Sequence, residues 1–130
     1  MAIEVTVRDE TTSGGVLHEL ELQLANERLT VAELIRTRVE AEVRLHNART
    51  SGHTFRGLVQ PDERELRLNV PGRSRSIDPA RQVEVALDAF ARGRFLVLVD
   101  DVQVTEPTQE VQVRPGSSVC FLKLTPLVGG

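Results

Sequence analysis

At 130 residues, 40% of them hydrophobic, the chain fits a single domain with one modest core. A formal charge of −3 and only 3% aromatic residues leave no general attraction for nucleic acid or an anionic membrane, and neither is expected as a partner. No signal-peptide pattern opens the sequence, where Glu4 and Arg8 interrupt the apolar positions, and the run Phe95 to Val99 is too short to span a bilayer, so a cytoplasmic protein is expected.

Ile3, Val5 and Val7 alternate with Glu4, Thr6 and Arg8, the period of a half-buried strand. The polar stretch Asp9 to Gly15 turns the chain. Val16, His18, Leu20, Leu22 and Leu24 then alternate with Glu19, Glu21 and Gln23, which predicts a hairpin. His18 falls on the inward register; with no second ligand at a useful spacing it reads as a partly buried side chain, not a metal ligand.

Thr30 and Glu33 form a Thr-x-x-Glu capping box, and Val31, Leu34, Ile35, Val39 and Val43 follow at helical spacing, predicting a helix to near Asn47. Arg36, Glu40 and Arg44, and also Arg38 and Glu42, are read as its solvated, ion-paired outer face at i,i+4 spacing.

From Ala48 to Ile77, Gly52, Gly57, Pro61, Pro71 and Gly72 punctuate a stretch with little apolar period, read as an insertion and expected to be the most mobile part of the chain. Leu66, Leu68 and Val70 fit a short strand, while Pro61-Asp62-Glu63 fits a short helix equally well. Arg73 and Arg75, with Arg81 nearby, form a basic cluster that suits an anion or simple solvation. His46 and His53 have no cysteine or carboxylate pattern around them, and no metal is assigned.

Asp78-Pro79 opens a second helix, a cap followed by proline at the first helical position, with Val83, Leu87, Phe90 and Ala91 as its apolar stripe up to Gly93. Phe95 to Val99, Asp100-Asp101 and Val102 to Val104 read as strand, two-residue turn, strand. The two aspartates serve as turn residues, since no further oxygen ligands cluster around them. Val111 and Val113 form a short extended piece, and Pro115-Gly116 turns into a last strand. There Cys120, Leu122 and Leu124 share one face and Val119, Phe121 and Lys123 the other. The lone Cys120, without a disulfide partner or an activating histidine nearby, reads as a small buried hydrophobe. The predicted core packs Val31, Ile35, Val39 and Val43 on the face containing Ile3, Val5, Leu122 and Leu124.

No phosphate-cradling glycine loop, zinc-binding helix or serine nucleophile elbow is present, so an enzyme in its own right is not expected. The chemistry concentrates at Pro126-Leu127-Val128-Gly129-Gly130. Two glycines without Cβ atoms make a thin tail able to enter a narrow channel, and Pro126, unable to donate to a sheet, releases it. An α-carboxyl group, which ordinarily titrates at about 3.3–3.7, is ionised at neutral pH and able to attack an activated phosphate. The plain alternative is a frayed, glycine-ended terminus. Fifteen of the sixteen basic residues are arginine and Lys123 is the only lysine. That imbalance matches a bias toward arginine codons; it also suits a protein whose tail is an acyl donor.

The order hairpin, capped helix, insertion with helix, hairpin, final strand is α+β and resembles the β-grasp fold of ubiquitin, a mixed sheet wrapped on a helix, here as one domain over 1–130 with an insertion at 48–77, a second helix and a flexible tail at 126–130. The end of the chain, from Pro115-Gly116 through Val119 to Leu124 and on to Gly130, is similar to the C-terminus of the small sulfur-carrier subunits of molybdopterin synthase, thiamin sulfur carriers and bacterial ubiquitin-like modifiers. The longer last strand and the insertion favour the modifiers. The resemblance implies that Gly129 and Gly130 are the reactive end, needing no trimming, and that Pro126, Leu127 and Val128 are gripped by an adenylating enzyme that uses Mg-ATP. A conjugating enzyme, a peptidase and a target protein are the further partners it implies, with no cofactor bound by this chain. The alternatives are a sulfur carrier forming a C-terminal thiocarboxylate and a non-covalent β-grasp interaction domain.

Overall fold

The computed structural model describes residues 3–13, 15–48, 58 and 78–124. Among the described residues seven strands and two helices follow in the order β1 (Ile3–Thr11), β2 (Val16–Leu24), β3 (Arg28–Thr30), α1 (Val31–Ala48), α2 (Pro79–Ala91), β4 (Phe95–Val99), β5 (Val102–Val104), β6 (Glu110–Gln112) and β7 (Ser118–Lys123). The architecture is α+β. A mixed five-stranded sheet runs β2-β1-β7-β4-β5, and β3 pairs with β6 in a separate two-stranded ribbon. β1 and β7 are parallel; the other neighbours in the large sheet are antiparallel.

The alternation in β1 buries Ile3, Val5, Val7 and also Asp9. Opposite them, Leu24, Leu22 and Leu20 come from β2, with a register shift between Asp9 and Glu10. The hairpin turn closes through the Thr11 N–H donating to the Gly15 carbonyl at 2.9 Å. His18 does lie opposite Asp9 on the predicted register, but it and Val16 are exposed.

Thr30 caps α1 as predicted, its Oγ1 accepting from the Glu33 N–H at 3.1 Å. The first helical donors, which have no intrahelical partners, find them in the loop before β6: Val31 N–H donates to the Gln109 carbonyl and Ala32 N–H to the Pro107 carbonyl, both at 2.9 Å. The β3–β6 ribbon, of which the sequence announces only the extended piece at Val111, thus ties a distant loop to the start of α1. Val31, Leu34, Ile35, Val39 and Val43 all face the core.

At α2 the Asp78 side chain accepts from the Ala80 N–H at 3.2 Å, with Pro79 at the helix start. Gly93, at φ +71°, ends it, and the Arg94 N–H donates back to the Ala89 carbonyl at 3.0 Å. The buried stripe is Gln82, Val83, Ala86, Ala89 and Phe90; Ala91, counted in the predicted stripe, is exposed. Phe90, Phe95 and Phe121 form a ladder with centroids 5.7 and 6.0 Å apart, joining α2 to β4 and β7.

Three further expectations are overturned. Val119 and Phe121, not Leu122 and Leu124, face the helices: parallel pairing sets Val119 opposite Val7 and Phe121 opposite Asp9, so the odd-numbered positions of both strands point inward. Arg38 and Glu42 are buried instead of solvated. Cys120 is half-buried on the outer face, not a core side chain. Of the stretch read as an insertion, Leu58 is described and lies in the core at 6% exposure. The strand or helix alternatives at 61–70, the arginines at 73 and 75 and His53 lie outside the described residues.

Candidate functional site

β7 is the middle strand of the five, flanked by β1 and β4, and it carries the chain toward the tail. At its last position Lys123 lies between Thr11 of β1 and Phe95 of β4, and Leu124 beyond it is exposed. Pro126, Leu127, Val128, Gly129 and Gly130 lie outside the described residues.

Beneath the end of β7 sits a buried charge cluster. Arg38, fully buried, points both terminal guanidinium nitrogens at the two oxygens of Asp9. Its Nε donates to Glu42 Oε1 at 2.9 Å, and that oxygen also accepts from the Leu58 N–H at 3.3 Å. Lys123 Nζ lies 3.8 Å from Asp9 Oδ2. Two cations and two carboxylates thus meet, joining β1, α1, β7 and Leu58. Desolvation alone would lower the Arg38 pKa, but the hydrogen bonds and charges of Asp9 and Glu42 outweigh it and hold the guanidinium above its ordinary value. Such a fork satisfies a buried carboxylate with planar, paired donors, which fits a positioning role better than a reactive one.

This cluster was legible in outline. Arg38 and Glu42 stand seven residues beyond Val31 and Ile35, in phase with the apolar stripe, and Asp9 continues the inward positions of β1. The expectation that charged residues stay solvated hid it.

The outer face of the sheet has two halves. On β4 and β7, Leu96 pairs with Leu122 and Leu98 with Cys120, giving a half-buried apolar stripe. On β1 and β2 the face is polar, with Arg8 Nε donating to Glu19 Oε1 at 3.0 Å, and a shallow groove of about 640 Å³ lined by residues such as Glu4, Thr6, Arg8 and Ser118. Glu4 raises the Glu21 pKa by hydrogen bonding and like charge. Cys120 Sγ donates to Glu10 Oε2 at 3.3 Å. Desolvation, then the bond to Glu10 and its negative charge, push the thiol up to about 11, the opposite of what a nucleophilic cysteine requires.

At the β4–β5 turn, Asp100 and Asp101 have φ of 50° and 68°, the left-handed pair expected of a tight hairpin. The Asp100 carboxylate accepts from the Ser118 N–H at 2.9 Å and from Ser117 Oγ at 3.3 Å, so its oxygens bind the start of β7. Arg81 pairs with Glu84 at 3.1 Å. No group of three or more potential metal ligands occurs among the described residues, and no helix among them is long and apolar enough to cross a membrane.

No family model matches the sequence, and neither a curated protein nor a solved structure matches the chain.

Proposed function

We propose that this chain is a ubiquitin-like protein modifier of the cytoplasm, acting through its Gly130 carboxylate. The observation that carries the reading is the route of β7. It enters the centre of the sheet parallel to β1, between two hairpins and against a capped helix, a strand order compatible with the ubiquitin-like β-grasp, and leads toward Pro126-Leu127-Val128-Gly129-Gly130.

The chain itself supplies no catalytic group in this scheme. A partner adenylating enzyme docks on the outer sheet face, where the Leu96, Leu98 and Leu122 stripe adjoins the end of β7, and grips Pro126, Leu127 and Val128. The Gly130 carboxylate attacks the α-phosphorus of Mg-ATP and displaces pyrophosphate. A partner thiolate then attacks the acyl carbon and displaces AMP, leaving a thioester, and a target amine displaces the thiolate to give an amide. Gly129 keeps the tail thin enough for each transfer.

Deleting Gly129 and Gly130 tests this. Stability should stay within about 0.5 kcal/mol, and ATP-dependent transfer in a lysate of the source cells should vanish. Trypsin cuts after Lys123, so a modified target lysine carries the remnant Leu124 to Gly130, readable by mass spectrometry. Exchange of oxygen for sulfur at Gly130, without such remnants, makes the protein a sulfur carrier instead. Full cellular function of the shortened chain makes it a non-covalent interaction domain.

A further inference from the structure

A chain whose tail acylates amines is itself a candidate acceptor, and its lysines decide whether copies can be linked through their side chains. Of these 130 residues only Lys123 has a side-chain amine. The other fifteen basic positions are arginines, including the exposed Arg8, Arg36 and Arg92. A guanidinium does not lose its proton in proteins and offers no nucleophilic nitrogen.

Lys123 is not presented to solvent as an acceptor would be. It follows Val119 and Phe121 on the helix-facing register of β7, at the edge of the buried cluster, and its side chain is 32% exposed. The ammonium lies 3.8 Å from Asp9 Oδ2, and the Asp9 carboxylate is itself fixed by the Arg38 fork. Amide formation needs the amine lone pair within about 3–3.5 Å of the thioester carbon, inside a partner's active site. To reach that position Lys123 must leave Asp9 and rotate away from the sheet, giving up an ion pair whose carboxylate is shielded from water.

We infer that Asp9 withholds Lys123 from acylation, so that copies of the protein are not joined through lysine. This rests on the modifier reading above, and two measurements separate the failure of one from the failure of the other.

The first needs no partner enzyme. The Arg36→Lys variant, which places an amine on the exposed face of α1, is treated with N-hydroxysuccinimidyl acetate at pH 8 and mapped by peptide mass spectrometry. Lys123 should acylate about three- to fivefold more slowly than the introduced amine, and unfolding in urea should remove the difference. Equal rates in the folded protein overturn the proposal. The second uses the full chain in a lysate of the source cells with ATP. The Leu124 to Gly130 remnant is expected on target lysines, and a branched peptide joining Gly130 of one copy to Lys123 of another overturns the inference. If no remnant forms on any protein, the modifier reading fails and the inference about its lysine fails with it, whatever the acylation ratio.

Discussion

The Arg38 guanidinium carbon lies 4.5 Å from the centre of the Phe121 ring, a buried cation from helix α1 stacked over a buried aromatic from β7. The contact pins the central strand to the helix from the same side chain that neutralises Asp9 and Glu42. A single residue thereby couples charge balance to core packing.

Arg38→Ala leaves the Asp9 and Glu42 carboxylates buried with their principal partner removed, and should cost about 3–5 kcal/mol. Arg36→Ala, on the exposed side of the same helix, should stay within about 0.5 kcal/mol. Urea titrations of both at pH 7 make the comparison. A loss below about 1 kcal/mol for Arg38→Ala would mean that water reaches the cluster.

The inward face of β7 can be tested by adjacent truncations. Phe121 is fully buried and touches Arg38 and Phe95, so Phe121→Ala should cost about 3–5 kcal/mol. Leu122 is half-buried on the outer face, and Leu122→Ala should cost less than half as much. The reverse order in thermal or urea unfolding would restore the opposite face as the core.

Leu58 packs in the core and donates its N–H to Glu42, although the residues around it carry no apolar period. Leu58→Ala should therefore lose about 2–5 kcal/mol, as for other buried leucines. An unchanged unfolding midpoint would detach this residue from the core.

Cys120 should alkylate slowly. With its pKa pushed up to about 11, the thiolate fraction at pH 8 is on the order of 100-fold below that of an ordinary thiol. The iodoacetamide rate should climb as pH rises toward that value and become ordinary in urea. Because the folded value is raised, the linked stability is present below the ordinary thiol pKa and is lost as pH rises through about 11. Fast alkylation of the folded protein at pH 8 would contradict the contact with Glu10.

Signals confined to a few consecutive residues were readable without the fold. The Thr30 and Asp78 caps, the alternation from Ile3 to Val7, the Asp100-Asp101 turn and the apolar stripe of α1 all appear where the sequence places them. Each depends on backbone chemistry within one turn or one pleat, which distant residues rarely override. The Gly129-Gly130 end likewise belongs to the sequence alone. Tertiary structure decided what local pattern leaves symmetric or disfavours. In β7 both faces are apolar, and only its register with β1 and β4 selects Val119 and Phe121 for the interior. The β3–β6 ribbon required two short segments to meet across the chain. Arg38 could enter the core because Asp9, 29 residues earlier, arrives beside Glu42 with the opposite charge, so that burial satisfies all three groups at once.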